Sequence, residues 1–252
     1  VLMMAAIMGV PNLIMDSNAL PGFTNRRLAR FIDKAALAFE AAVPFFGKKG
    51  VVTGNPVRKE FFNIAPRESA ETVNLLIFGG SQGSRAINEA MAVTLPLLAG
   101  DKDRINVTHQ TGDADYQIVA DAYAANGWKD ADIRPYIADM VTEVAKADLV
   151  ISRAGATTCA ELAAAGRASI MIPLPTAADD HQRKNAEAMQ AEGASMMLLQ
   201  SDLTGASLAA AIDELTGEPG QLVEMGRAAK SLGRADAAER TVDLIEELKR
   251  NA

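Results

Sequence analysis

The sequence holds one cysteine, two histidines and no surplus of positive charge, and each shortage narrows what the chain can be. A single thiol, Cys159, forbids an internal disulfide and fits a reducing compartment. With 25 Lys and Arg against 32 Asp and Glu, the net charge is −7, so the chain as a whole offers no basic face to neutralise phosphates and nucleic acid is excluded as a partner. The strongly apolar stretch Val1 to Met15 is too short to cross a bilayer and is interrupted by Gly9 and Pro11. It also lacks an initiator Met, a basic segment and a small-residue cleavage site, so it does not read as a signal. It reads instead as the end of a helix, a Gly-Val-Pro turn and a buried strand from Asn12 to Met15. The expectation is a chain that begins inside an α/β domain, with something upstream lost or supplied by another chain.

What is present is 252 residues, 49% of them apolar, enough for one large or two modest globular domains. The organising stretch is Asn74 to Asn88, NLLIFGGSQGSRAIN. Its apolar run Leu75-Leu76-Ile77-Phe78 predicts a strand, the glycines at 79, 80 and 83 a tight turn, and the residues from Ser84 or Arg85 a helix. Glycines let the backbone approach a ligand, and a helix start directs free N–H groups and the positive dipole end to the same place, which suits a phosphate. The Lys of a P-loop and the spacing of a dinucleotide fingerprint are both absent.

From Val73 onward strands are predicted near 73–78, 105–109, 148–152, 168–174 and 195–199. Helices are predicted near 85–98, 113–126, 140–146, 157–165 and 180–192, with three more after 204. This alternation implies βαβ units and a parallel sheet, with the ligand along the carboxyl ends of the strands. Four polar or Gly-containing stretches fall there: Gly79 to Ser84, His109 to Gly112, Ser152 to Thr158, and Pro173 to His181. Any one of them could be an ordinary α/β turn; their convergence on one sheet edge carries the argument. In SRAGATTCAELAAAG, a helix starting at Ala156 or Thr157 faces the cleft with its first amides and two hydroxyls. Glu161, one turn on from Thr157, suits the vicinal hydroxyls of a ribose, or is simply an acid in an early helical turn favoured by the dipole. Gln182 and Asn185 offer amide donors and acceptors to a sugar.

Before Val73, Asp16 to Gly22 is a turn-rich loop after the first strand, and Thr24 is placed to cap a helix from Asn25 to about Ile32. Its Arg26, Arg27 and Arg30 form a basic face, either plain solvated surface or, with Lys48 and Lys49, a contact for anionic lipid. Gly54-Asn55-Pro56-Val57-Arg58 is a rigid turn ending in a guanidinium able to bond a planar or anionic group. Pro66 to Ser69 reads as a boundary between two domains. His109, at a strand end, reads as structural; His181 beside Asp179 and Asp180 hints at a metal but has no second ligand cluster, so no metal site is assigned.

Taken together, Gly54 to Arg58, Gly79 to Ser84, His109 to Gly112, Tyr136 to Met140, Ser152 to Gly166 and Asp180 to Asn185 resemble the MurG family of bacterial glycosyltransferases, family 28. The resemblance implies an α/β fold of GT-B type, two Rossmann-like domains with parallel sheets, the first incomplete. It divides the chain into 1–62, a remnant of the acceptor-side domain; 63–232, the domain that binds UDP-GlcNAc; and 233–252, a helix packing back on the first. It implies inverting transfer of GlcNAc from UDP-GlcNAc to the C4 hydroxyl of undecaprenyl-diphospho-MurNAc-pentapeptide, without cofactor or metal. The setting would be peripheral, at the cytoplasmic face of the bacterial inner membrane, in cell-wall biogenesis, cell shape and division.

Carried over by position, the resemblance implies that Asn18 contacts the GlcNAc, and that Arg58 and the backbone of Ile137 hold the uracil. Ser81 would meet the diphosphate, Glu161 the ribose, and Ala156, Thr157, Thr158 and Gln182 the sugar and phosphates. Two departures stand out. Met15-Asp16-Ser17 replaces the family's His-Glu-Gln run, and the Gly-rich loop with its His that opens the family has no counterpart here, so the catalytic base is unassigned. Two other expectations fit the residues less well: an epimerase acting on UDP-GlcNAc, and the donor-binding module of a split transferase.

Overall fold

The computed structural model describes residues 1–68, 71–218 and 220–250, and within them nine strands form two parallel sheets. The smaller sheet follows α1 (Leu2–Ile7) and has the order β1 (Leu13–Asp16), β2 (Lys34–Leu37), β3 (Gly50–Val52). Ile14, Ala35 and Leu37 form its buried core with Ile32, Ala42 and Phe46. The helix after β1 is α2 (Phe23–Leu28), followed by a short 3-10 turn over Ala29–Phe31. Thr24 does not cap it: the N-cap is Gly22, and the first helical amide, Phe23 N–H, donates to Asp179 Oδ2 at 2.9 Å. A carboxylate from a distant loop therefore does the capping that a local hydroxyl was expected to do.

After α3 (Lys59–Phe62), the coil at 66–68 leads toward the larger sheet; Ser69, the last residue of the expected boundary, lies outside the described residues. The larger sheet contains β4 (Val73–Phe78), β5 (Ile105–Gln110), β6 (Asp132–Arg134), β7 (Leu149–Ser152), β8 (Ala168–Met171) and β9 (Met196–Met197), in the order β6-β5-β4-β7-β8-β9. All its pairings are parallel. The intervening helices are α4 (Arg85–Thr94), α5 (Tyr116–Ala125), α6 (Met140–Lys146), α7 (Ala156–Ala165) and α8 (His181–Ala191). They are followed by α9 (Gly205–Gly217), α10 (Gln221–Leu232) and α11 (Ala237–Arg250).

Alternation along β4 shows why the strand is apolar throughout. Leu75 and Ile77 enter one core with Ile87, Met91 and Leu208, while Leu76 and Phe78 enter the other with Val144, Leu162 and Met189. Both faces are covered by helices, as parallel sheets require. The sequence expectations for strands and helices of this sheet hold in place and order, with α4 ending at Thr94 rather than 98 and β8 at Met171 rather than 174. β6 was not expected: its Asp-Ile-Arg is three residues long, partly exposed and without an apolar run.

Candidate functional site

Two registers build the site. Phe78 pairs with Ser152, so the turn after β4 and the turn after β7 leave the sheet side by side. At the first turn, Gly80 and Gly83 have φ of +100° and +74°, a region that L side chains rarely adopt. A Cβ on Gly83 would also lie 1.9 Å from the carbonyl oxygen of Thr111, so only glycine lets the turn pack against the loop after β5. Helix α4 then starts after Ser84, whose hydroxyl makes no capping bond. That hydroxyl is buried and without a hydrogen-bond partner. At the second turn, Gly155 is the N-cap of α7, and again no side chain occupies the first amides.

Both helix starts open on one cavity of about 620 Å³, walled by Gly80, Gly83, Ser84, Arg153, Gly155, Thr158 and Gln182. Two guanidiniums line this cavity, that of Arg85, paired with Glu89 at 2.8 Å, and that of Arg153. The Arg153 guanidinium bonds only neutral oxygens, those of Ile172 (3.1 Å), Pro173 (3.2 Å) and Gln200 (2.7 Å). Burial pushes its pKa down, the sign of a positive charge short of a counter-ion. Helix starts without a side-chain cap and a guanidinium without a carboxylate partner meet in one hollow, an arrangement that suits an anion. A larger hollow of about 1090 Å³ lies at the opposite edge of the sheet, beside Val73 and Ala168, and none of the candidate site residues lines it.

Arg58 acts electrostatically on both Asp139, the N-cap of α6, and Glu161 of α7. Its guanidinium lies 5.1 Å from the centre of the Phe61 ring. Burial holds the Glu161 carboxyl above the usual carboxylate range, and the nearby Arg58 charge pulls the other way. Asp139 caps α6 by accepting from Thr142 N–H (3.1 Å) and the Thr142 hydroxyl (2.5 Å), which keeps its carboxyl low, with Arg58 adding to the effect. Ile137 is buried, and its N–H donates to Gln110 Oε1 at 2.8 Å.

The smaller sheet contributes from the other side. Asp16 organises the loop after β1 by accepting from Asn18 N–H (3.1 Å), Gly22 N–H (3.0 Å) and Asn25 Nδ2 (2.8 Å). The loop docks on α8 through fully buried Asn185, which accepts from Ala19 N–H (2.8 Å) and donates to Asn18 Oδ1 (3.1 Å) and Ala154 O (3.1 Å). Asp179 and Asp180, at φ of 51° and 55°, occupy the left-handed region in the turn before α8. In that turn Asp179 also takes Arg26 Nη2 at 3.2 Å. Arg26 is partly covered by this pairing and lies over the Phe45 ring at 6.0 Å, while Arg27 and Arg30 stay exposed over Phe23 at 5.1 Å and Phe31 at 4.8 Å.

The candidate residues therefore divide. Thr158 and Gln182 line the cavity, with Gln182 Oε1 fixed by Leu174 N–H at 3.0 Å. Thr157 is exposed in the first turn of α7, and Ala156 faces a neighbouring apolar hollow of about 240 Å³ that also contains Cys159. Ser81 sits exposed in the Gly-rich turn while Ser84 lines the cavity wall. Ser84 as a donor and Arg153 as a counter-charge were not singled out in the sequence, although both lie inside segments that were.

Neither histidine lines the cavity. Asn88 Nδ2 donates to Thr111 O (2.9 Å) and Asp115 Oδ2 (2.9 Å), which turns its oxygen toward His109 Nε2 at 3.0 Å. Nε2 must then carry the proton, and Nδ1 accepts from the Tyr123 hydroxyl at 3.2 Å. Burial drives the His109 pKa down to about 3, so the ring is neutral and structural. His181 Nδ1 donates to Ala178 O at 2.7 Å. Among the described residues, no three His, Cys, Asp or Glu side chains gather as a metal site.

Comparison with known proteins agrees with this geometry. Residues 74–241 match the glycosyltransferase family 28 C-terminal domain. The UDP-N-acetylglucosamine--N-acetylmuramyl-(pentapeptide) pyrophosphoryl-undecaprenol N-acetylglucosamine transferase of Solibacter usitatus is 42% identical over 98% of this chain and 68% of its own length. The crystal structure of Acinetobacter baumannii MurG superposes with a TM-score of 0.84 at 34% identity, over 96% of this chain and 69% of that one. A putative UDP-N-acetylglucosamine 2-epimerase from Listeria monocytogenes superposes with a TM-score of 0.69 over 99% of this chain and 71% of its own, but at 14% identity that likeness concerns the fold alone.

Proposed function

Because the chain belongs to glycosyltransferase family 28, and within it to the UDP-GlcNAc transferases that act on lipid-linked muramyl-pentapeptide, we propose that it is a hexosyltransferase carrying GlcNAc from UDP-GlcNAc to the C4 hydroxyl of undecaprenyl-diphospho-MurNAc-pentapeptide. The observation that carries this reading is the single cavity shared by the amino ends of α4 and α7 and by Arg153. It suits the charge that builds on a departing diphosphate.

In the reaction the acceptor hydroxyl oxygen forms a bond to the anomeric carbon while the bond from that carbon to the diphosphate oxygen breaks. The electron pair leaves with UDP. Fixed amides and a guanidinium aimed at those oxygens stabilise the leaving group without reorganising, and binding both partners in line supplies the rest. In this reading Ser81 and the cavity donors Ser84 and Thr158 serve the diphosphate, and Glu161 accepts from the ribose hydroxyls. Arg58 and the Ile137 carbonyl frame the uracil. Asn18, Ala156, Thr157 and Gln182 surround the sugar. The base that takes the acceptor proton is not assigned to any residue.

Residues 1–62 then form part of the acceptor-side unit and 63–232 the donor unit. The segment from 233 packs back on the first; contact of α11 with β2 and the Lys34–Glu247 ion pair at 3.1 Å support this. A peripheral site at the membrane follows from the acceptor's lipid. The exposed Phe23, Phe31 and Phe45, interleaved with Arg27, Arg30 and Lys48, offer the aromatic and basic groups that anionic bilayers attract. The epimerase reading is less favoured, since His109 is sequestered in a hydrogen-bonded network away from the cleft.

The test is transfer of labelled GlcNAc to a lipid-linked muramyl-pentapeptide acceptor. Formation of UDP and a disaccharide lipid is expected. Conversion of UDP-GlcNAc to its 2-epimer, with no transfer, contradicts the proposal.

A further inference from the structure

Gln110 closes β5, and the registers place it between the two loops that frame a nucleotide. Its Cα pairs with Phe78, the last residue before the Gly-rich turn, and with Arg134, the last residue before the loop that carries Ile137. Only 2% of it is exposed. Its side-chain amide spans both loops: Nε2 donates to Gly80 O at 2.8 Å, and Oε1 accepts from Ile137 N–H at 2.8 Å.

The surroundings make this amide the link between loops. The ladder beyond β5 continues through Thr111 N–H to Arg134 O (3.0 Å) and Gly112 N–H to Pro135 O (3.0 Å), which ties that side of the site to one rigid edge. On the other side, Gly112 packs so closely on the Gly-rich turn that a Cβ there would lie 2.3 Å from Gln82 O. Gly80, at φ +100° and with open space around its Cα, has no such packing. Its carbonyl accepts from Gly83 N–H at 3.0 Å within the turn, and the Gln110 amide is the side chain that reaches it from outside the turn. A planar group with one donor and one acceptor at fixed separation sets the spacing between Gly80 and Ile137.

We propose that Gln110 is a positioning residue that sets the distance between the nucleobase loop and the diphosphate turn, so that the two ends of a uridine diphosphate are bound together rather than separately. This rests on the reading of the cavity given above. Joining two fragments in one ligand gains affinity only when their subsites are correctly spaced, because the second contact is then made without a further loss of freedom. The strut therefore acts on the joined ligand more than on its parts.

The experiment compares three probes, uridine, inorganic pyrophosphate and UDP, by calorimetry on the full chain and on Gln110→Met and Gln110→Glu. Met fills the space and makes neither bond. Glu keeps an acceptor for Ile137 N–H but has no donor for Gly80. In Gln110→Met, UDP should bind at least tenfold more weakly while uridine and pyrophosphate each stay within about twofold of wild type. Amide exchange at Ile137 should accelerate in Gln110→Met relative to amides elsewhere in the larger sheet and remain slow in Gln110→Glu, and the Glu variant carries the test if the Met variant folds poorly. In Gln110→Glu uridine should bind as in wild type and UDP at least tenfold more weakly. Equal weakening of all three probes, or unchanged UDP affinity in both folded variants, overturns the proposal. If wild-type protein binds UDP no better than uridine, the diphosphate reading itself is what fails.

Discussion

Asn185 donates its side-chain amide to the side-chain carbonyl of Asn18 at 3.1 Å, although the two are 167 positions apart and belong to units built on different sheets. The same amide group also binds Ala19 N–H and Ala154 O, so one buried residue joins the loop after β1 to the turn that starts α7. The two halves of the site are held in register by this junction.

Replacing Asn185 by Leu removes all of these bonds and leaves buried backbone groups unsatisfied. A net loss on the order of 3 kcal/mol in urea unfolding is expected, from about 1 kcal/mol per bond plus desolvated orphans. Asn18→Ala should cost only about 1 kcal/mol, and a double-mutant cycle should show coupling of at least ~0.5 kcal/mol. Additive losses would mean that the junction is not formed.

Glycine 83 tests whether the turn is as tight as its geometry. Gly83→Ala places a methyl group 1.9 Å from Thr111 O at a φ of +74°, so the turn has to move away from the loop after β5. UDP affinity should drop at least tenfold and the melting temperature should fall. Gly100→Ala, where nothing lies within 4 Å, is the control and should change neither.

Glu161 should report on ribose hydroxyls and on little else. Glu161→Ala is expected to weaken UDP by about 10- to 100-fold, the value of one or two hydrogen bonds to a charged acceptor. Against 2′,3′-dideoxy-UDP the same substitution should have almost no effect. An equal loss with both nucleotides would place Glu161 elsewhere.

Much of this is legible in the sequence. The continuous apolar runs of β4 and β7 and the glycines after them announced two strand-to-helix turns, because a parallel strand buried on both faces has no polar alternation to disguise it. What was not legible depends on partners distant in sequence. Asp179 displaces Thr24 as the cap of α2, and Arg26 pairs with the same carboxylate. β6 is short and polar, so only its pairing with β5 reveals it. Ser84 is the N-cap of α4 by position, yet its hydroxyl makes no bond to the helix. Gln110 falls inside the polar stretch His109 to Gly112, but its bridging role comes from the two strands beside it.

Histidine 109 gives a pH signature. Its pKa is about 3 in the fold and about 6.5 in the unfolded chain, so between these values the unfolded state binds more protons. Its contribution to stability is complete above pH 6.5 and is lost as pH falls toward 3, at about 1.4 kcal/mol per unit once well below 6.5. Unfolding free energies at pH 7 and pH 4.5 should therefore differ by on the order of 2 kcal/mol more in wild type than in His109→Gln. Parallel pH curves would contradict a neutral, buried ring.

The most direct test of the whole account is a crystal structure with UDP bound. Its pyrophosphate oxygens should lie about 3 Å, hydrogen-bond distance, from backbone amides at the starts of both α4 and α7, with the Arg153 guanidinium facing the same group. A pyrophosphate that touches only one of those helix starts, or lies at the opposite edge of the sheet, would contradict it.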